Sequence, residues 1–447
     1  MEPPRRGPAV ASDRELDRLL VEHVKGVAVD AQTVRAHVIR PPHLDGAFSD
    51  RGSEGSKVQF APRRPPIVVP HHLDVGAFGA ALHDALKDNV AGYVAQLRQN
   101  GHAIFIKDWQ FAKRSQDGSE GWTTDVQLHV ASVSKLMTAI AMTLLLSEHN
   151  ISPDAQIIDF LPDYWAKGPN IQFIVFRNLM NHTSGLTAVD VIDFDIMKRA
   201  IADGISLDRN ATNHLGHYCY QNLNFGLCRV LLAVINGNIS KSAGVFFPGL
   251  LDPGLIDQLW DVATIASYNQ YIQTNVFRPA GATGATLDHR DATGLAYEGP
   301  GDSARGWNSG NLENVSGAAG WHLSVDEVLA VMSEFRRGRS IVSPEAAQAM
   351  LDDGFGVDPF VNYQCGATAP PGLATPAGEI YCKNGRWHDG NGHEEQSLAY
   401  FLPQDMELVV LTNSPVGGGP NGTEQFFRDV VTQTYLNNLT TQPPVHL

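Results

Sequence analysis

The chain has 447 residues, 43% hydrophobic and 18% charged, an ordinary globular composition for one large domain or two intergrown ones. Lys and Arg total 33 against 48 Asp and Glu, a formal net charge of −15. That balance disfavours nucleic acid and anionic membrane surfaces as partners. No apolar run reaches the ~18 residues needed to cross a bilayer, so no membrane insertion is expected.

At the N-terminus, MEPPRRGPAVASDRELDRLL places Asp13 and Glu15 ahead of any apolar stretch. This reads against a secretory signal and favours a cytoplasmic location, with a periplasmic or secreted mature form as the alternative. Residues 1 to about 70 are Pro- and Arg-rich (PPRRGP, RPPHLDG, PRRPPIVVP) and read as an extension; globular patterning begins near His72. A helix is expected over Val75 to Asn89, with Phe78, Leu82 and Leu86 on one face. Strands follow over Val90 to Leu97 and His102 to Ile106, with Gln99-Asn100-Gly101 as the hairpin signal. A strongly apolar helix is expected from Ser132 to Ser147, and a mixture of helices and long loops from about 150 to 300. Ser324-Val-Asp-Glu327 has the spacing of a capping box and opens the helix VDEVLAVMSEF. Three alternating segments, GEIYCKNGRW, EQSLAYFLP and MELVVLTNS, read as strands, and an amphipathic helix is expected from Glu424 to Leu439. Strands at both ends with helices between imply an α/β fold. One antiparallel sheet is built from the two termini, flanked by helices, with a mostly helical lobe inserted.

The cysteines at 219, 228, 365 and 382 lack zinc-ligand spacing. They read as buried free thiols, with a Cys365–Cys382 bridge as the alternative. The 17 histidines form no helical HExxH pair, so neither a metal nor a cofactor is expected.

Chemistry concentrates at Ser132-Val-Ser-Lys135. Residues i and i+3 share a helix face with Cβ atoms about 5–6 Å apart, so Lys135 can reach the Ser132 hydroxyl. A buried, neutral lysine can take its proton, and the helix N-terminus favours a developing oxyanion. Yet the chain has ten lysines. At a serine frequency of ~6%, one such pair arises by chance about half the time. Ser134 is the rival nucleophile, but it directly precedes Lys135 and points to another face.

Three further segments carry a resemblance. Leu179-Met-Asn-His-Thr-Ser-Gly-Leu186 resembles an L-x-x-H-T-S-G-L turn, and Tyr220-Gln-Asn222 with Leu-Asn-Phe-Gly-Leu227 resembles a Y-x-N motif. A cleft-edge motif precedes the last hairpin. In this order, across roughly residues 75 to 440, they resemble the serine β-lactamase, penicillin-binding protein and esterase superfamily, especially its class C branch. Composition sets apart a Pro/Arg-rich extension over 1–70, and the resemblance implies a β-lactamase-like serine hydrolase domain over 71–447. Its sheet lobe covers about 71–150 and 300–447, and its helical lobe about 151–300.

The roles follow from the same resemblance. Ser132 is the acyl-forming nucleophile, and Tyr220 shuttles its proton with its phenolate stabilised by two cations, of which Lys135 is one. Asn222 orients Lys135 or the substrate carbonyl, and His182 and Ser184 belong to a structural turn near the site. The third motif has two registers. Lys383-Asn-Gly385 supplies a cation that tunes Tyr220 and docks a substrate carboxylate, with the backbone N–H groups of Ser132 and Arg386 as the oxyanion hole. His388-Asp-Gly390 moves the second donor to Asn391. No E-x-x-L-N segment and no G-x-S-x-G elbow is present, which argues against a class A lactamase mechanism and an α/β-hydrolase. The expected partner is a small-molecule ester or amide, and the expected activity that of a carboxylesterase. The alternatives are a D-amino-acid peptidase or β-lactamase, an acyltransferase on the same acyl-enzyme, and a slowly deacylating penicillin-binding sensor. The sequence does not assign an oligomeric state.

Overall fold

In a computed structural model, residues 71–441 are described, except 188–191, 212, 245–252, 292, 302, 361–364, 367–369 and 418–423. The extension expected over 1–70 lies outside the described residues.

Helix α1, Val75–Leu86, starts where the Asp74 carboxylate accepts from the Ala77 N–H and buries Phe78, Leu82 and Leu86. It stops three residues short of Asn89, because Lys87-Asp88-Asn89 offers no further apolar position to bury. Strands β1, Gly92–Gln99, and β2, His102–Lys113, pair through a two-residue turn with Asn100 at φ 51° and Gly101 at φ 81°. That left-handed pair is the turn whose twist matches a hairpin. β2 runs well past Ile106. Its polar residues are tolerated because most of the strand is solvent-facing near the sheet edge, where they need no core partner.

The remaining strands of the main sheet are β3 (Glu120–Gly121), β4 (Leu373–Thr375), β5 (Gly378–His388), β6 (Glu394–Leu402) and β7 (Met406–Thr412). Their order is β3-β2-β1-β7-β6-β5-β4, antiparallel throughout. The N-terminal hairpin and the C-terminal meander thus meet at β1 and β7, as the sequence implied.

Period-two alternation divides the sheet between two cores. Tyr93, Ala95, Leu97, Leu398, Tyr400, Leu408 and Val410 pack with α1 and the C-terminal helix Glu424–Asn437. Val94, Ala399, Phe401, Val409 and Leu411 face the larger core. That core holds α2 (Ser134–Glu148), α3 (Asn222–Ile235) and α4 (Pro253–Ile272), with α5 (Val325–Arg337) against the sheet. The α5 capping box forms as expected, with Ser324 and Glu327 bonding each other's backbone N–H. The helical stretch Ala131–Glu148 is long and apolar enough to cross a membrane by length and composition, but it is 72% buried inside the fold as its central helix.

The cysteines differ from expectation. Cys219 and Cys365 form a disulfide, while Cys228 and Cys382 are free and buried. Sequence separation of 146 residues hid the pair. Only the tertiary fold brings the Cys365 loop beside the strand-like segment before Tyr220, where the Gly366 N–H donates to the Tyr218 carbonyl.

Candidate active site

Ser132 lies in the single 3-10 turn Ala131–Val133 that runs into α2. Ala131 holds φ 46°, a left-handed conformation that a residue with a Cβ adopts only when its surroundings impose it. Those surroundings are visible: the Val130 N–H donates to the Trp321 carbonyl, and the Val130 carbonyl accepts from Ser397 Oγ. The turn leaves Ser132 partly open to solvent between buried neighbours. Ser134 is turned inward, fully buried, and accepts from the Trp321 N–H.

Lys135 is fully buried and its Nζ donates to three acceptors: Ser132 Oγ at 2.8 Å, Asn222 Oδ1 at 2.7 Å and the Ala318 carbonyl at 2.8 Å. An ammonium has three N–H donors, so this arrangement fits the charged form of lysine. Tyr220 Oη lies 2.6 Å from Ser132 Oγ, and Lys135 Nζ lies 5.0 Å from the Tyr220 ring centroid. Asn222 opens α3, so the segment entering this helix brings Tyr220 to Ser132 and Asn222 to Lys135.

The turn 179–186 packs behind the tyrosine. The His182 ring lies 4.4 Å from the Tyr220 ring, its Nδ1 accepts from the Gln221 N–H, and Ser184 Oγ donates to Asn224 Oδ1. Burial, reinforced by Lys383 and Lys135, holds His182 well below the usual imidazole range, so it is neutral. His182 and Ser184 thus support the site without bonding to Ser132.

On the other wall, β5 presents Lys383 with its Nζ 5.0 Å from the Tyr220 ring centroid. A Cβ on Gly385 would lie 2.8 Å from the Ser132 N and 2.5 Å from the Val130 carbonyl oxygen, so only glycine lets the strand approach the nucleophile this closely. The Cys382 carbonyl and the Asn384 N–H both bond Asp358 across the edge that faces away from β6. Alternation then puts the Arg386 N–H on that same edge. His388 is exposed at the end of β5, where its Nδ1 accepts from the Gly390 N–H. Asn391 is exposed in the following turn and bonds Asp389. The fold therefore brings Lys383, Gly385 and Arg386 to the Ser132 group, and leaves His388 and Asn391 at the hairpin tip.

Several participants carried no motif. Asp358 is paired with Lys383 and is fully buried. Ala318 lies in the turn Ser316-Gly-Ala-Ala-Gly320, where Gly317 takes φ 94°; the glycines are the one visible signal. Beneath Ser132, His129 Nε2 accepts from the Gly320 N–H and His129 Nδ1 lies 3.3 Å from Glu395. Burial lowers His129 to about 3 and pushes Glu395 up to about 8, while Ser309 Oγ donates to Glu395 Oε1. Neutral His129 thus fixes the Gly320 end of the turn that offers Ala318 to Lys135. Among the described residues no cluster of His, Cys, Asp and Glu is arranged to hold a metal ion.

Residues 78–246 match the sequence profile of the Beta-lactamase family. No curated protein sequence matches the chain. Among solved structures, a D-amino acid amidase from Ochrobactrum anthropi SV3 superposes with a TM-score of 0.56 at 15% identity, covering 81% of this chain and 98% of that one. EstCE1, described as a hydrolase with promiscuous acyltransferase activity, gives 0.54 at 15% identity, covering 81% and 99%. A class C beta lactamase from Rhodobacter sphaeroides gives 0.53 at 18% identity, covering 80% and 99%. The chain thus has the fold of the serine β-lactamase and penicillin-binding-protein-like superfamily, a family of serine hydrolases, and residues 78–246 match that family in sequence.

Proposed function

We propose that the protein is a serine hydrolase that forms an acyl-enzyme on Ser132 and cleaves ester bonds, as a carboxylesterase. The observation that carries this is the short chain Lys135 Nζ–Ser132 Oγ–Tyr220 Oη, at 2.8 and 2.6 Å, with every N–H of Lys135 engaged. A lysine held as ammonium is a poor base, so Tyr220 takes the serine proton, with Lys135 and Lys383 favouring its phenolate. Ser132 Oγ then attacks the acyl carbon. The oxyanion forms beside the Ser132 and Arg386 backbone N–H groups, and Tyr220 returns its proton to the leaving alcohol. In the second half-reaction Tyr220 takes a proton from the attacking water, the tetrahedral adduct expels Ser132 Oγ as Tyr220 returns that proton to it, and the acid leaves.

Intact mass after a fluorophosphonate is expected to show one adduct on Ser132. Ser132→Ala should abolish p-nitrophenyl ester hydrolysis, and Tyr220→Phe should lower it ~10²- to 10⁴-fold. An adduct on another serine, or full turnover by either variant, would overturn the assignment.

A further inference from the structure

Lys383 and Asp358 form an ion pair in which both side chains are almost wholly buried, at 2% and 0% exposure. Asp358 is locked there from three directions. One carboxylate oxygen accepts from Lys383 Nζ, the other from the Asn384 N–H at 3.0 Å, and its own N–H donates to the Cys382 carbonyl at 2.8 Å. The second cation of this strand, Arg386, is likewise paired, with Glu394 at 2.6 Å. A cation that is to receive a substrate carboxylate must offer unmatched charge. Here an acidic side chain already stands against each one.

We propose that Asp358 is a specificity-determining residue. It turns Lys383 from a carboxylate dock into an internally balanced group, and so restricts the site to esters and amides whose leaving group carries no carboxylate. The inference rests on the serine-hydrolase reading and sharpens it: neutral esters are substrates, whereas lactams and peptides that place a free carboxylate beside the scissile bond are poor ones. The physical reason is that an incoming carboxylate near Lys383 meets the Asp358 charge as well. At these short distances and in this partly dry site, like-charge repulsion offsets most of the attraction to the lysine. Neutral substrates bring no charge for Asp358 to oppose, and Lys383 Nζ stays 5.0 Å from the Tyr220 ring centroid.

The test uses phenyl acetate and 3-carboxyphenyl acetate, two esters with the same acyl group and leaving groups that differ in one carboxylate. Wild-type protein should prefer the neutral ester by roughly 10-fold or more in kcat/KM. Asp358→Asn should raise the charged-to-neutral ratio by about 10-fold or more, chiefly through KM of the charged ester, and Asp358→Glu should keep the wild-type preference. A ratio is read because it cancels any loss of folded or active protein. Equal hydrolysis of both esters by the wild type, or an unchanged ratio in Asp358→Asn, would overturn the proposal. Hydrolysis of neither ester, with no fluorophosphonate adduct on Ser132, would instead sink the hydrolase reading beneath it.

Discussion

Gly385→Ala is the most demanding single perturbation of this site. The new methyl would lie 2.5 Å from the Val130 carbonyl oxygen, 2.6 Å from Ser397 Oγ and 2.8 Å from the Ser132 N, where ordinary contact begins at 3.4 Å. Ser397 can rotate, although it would lose its bond to Val130. The two backbone atoms cannot yield without moving the nucleophile turn or β5. Their shortfalls are 0.9 Å (3.4 − 2.5) and 0.6 Å (3.4 − 2.8). A displacement of ~1 Å at reacting groups costs about 10²-fold in rate. The same overpacking costs roughly 1–3 kcal/mol of stability. Steady-state hydrolysis of a p-nitrophenyl ester should therefore fall ~10²-fold in kcat/KM while the circular dichroism spectrum stays native. Fluorophosphonate labelling of Ser132 should slow in parallel. Wild-type kcat/KM in a folded Gly385→Ala protein would refute the reasoning, because the strand could not then lie against Ser132 as described.

Three other outcomes are expected. Lys383→Ala should lower ester turnover by ~10² or more, whereas His388→Ala, at the exposed hairpin tip, should leave it within about twofold; the reverse pattern would restore the other register. Glu395 is raised to about 8 by burial, so the folded protein keeps a proton that the unfolded chain gives up near 4.5. Stability from this group is fully present below 4.5 and falls as pH rises toward 8. Glu395→Gln, neutral at every pH, should remove that loss, so its melting temperature relative to wild type should rise between pH 5 and pH 8; a constant difference would refute the buried-acid assignment. Removing the Cys219–Cys365 bridge by Cys365→Ser should cost about 2–4 kcal/mol in denaturant unfolding. Unchanged stability would mean that the bridge constrains little.

Much of the fold was legible in the residues themselves. Alternation in Ile380–Cys382, Leu398–Leu402 and Leu408–Leu411 follows from the two-residue period of a strand. Ser324 marks a helix start because a short oxygen side chain satisfies a free N–H group. Ser132 and Lys135 were readable as a pair because a helix fixes the distance between i and i+3.

Other features depend on packing between segments far apart in sequence. A choice between Lys383 and His388 could not come from spacing, since each register gives a plausible motif. It is decided by where β5 passes Ser132, which Gly385 sets by close approach. Asp358 has no motif at all, and its role arises because the 358 segment bonds the open edge of β5. Cys219 and Cys365 are 146 residues apart and read as unrelated thiols. The sequence alone therefore determined the elements and the reactive pair, both set by local geometry. The tertiary structure decided which charges stand together around Tyr220, because electrostatic pairing depends on distance in space and not along the chain.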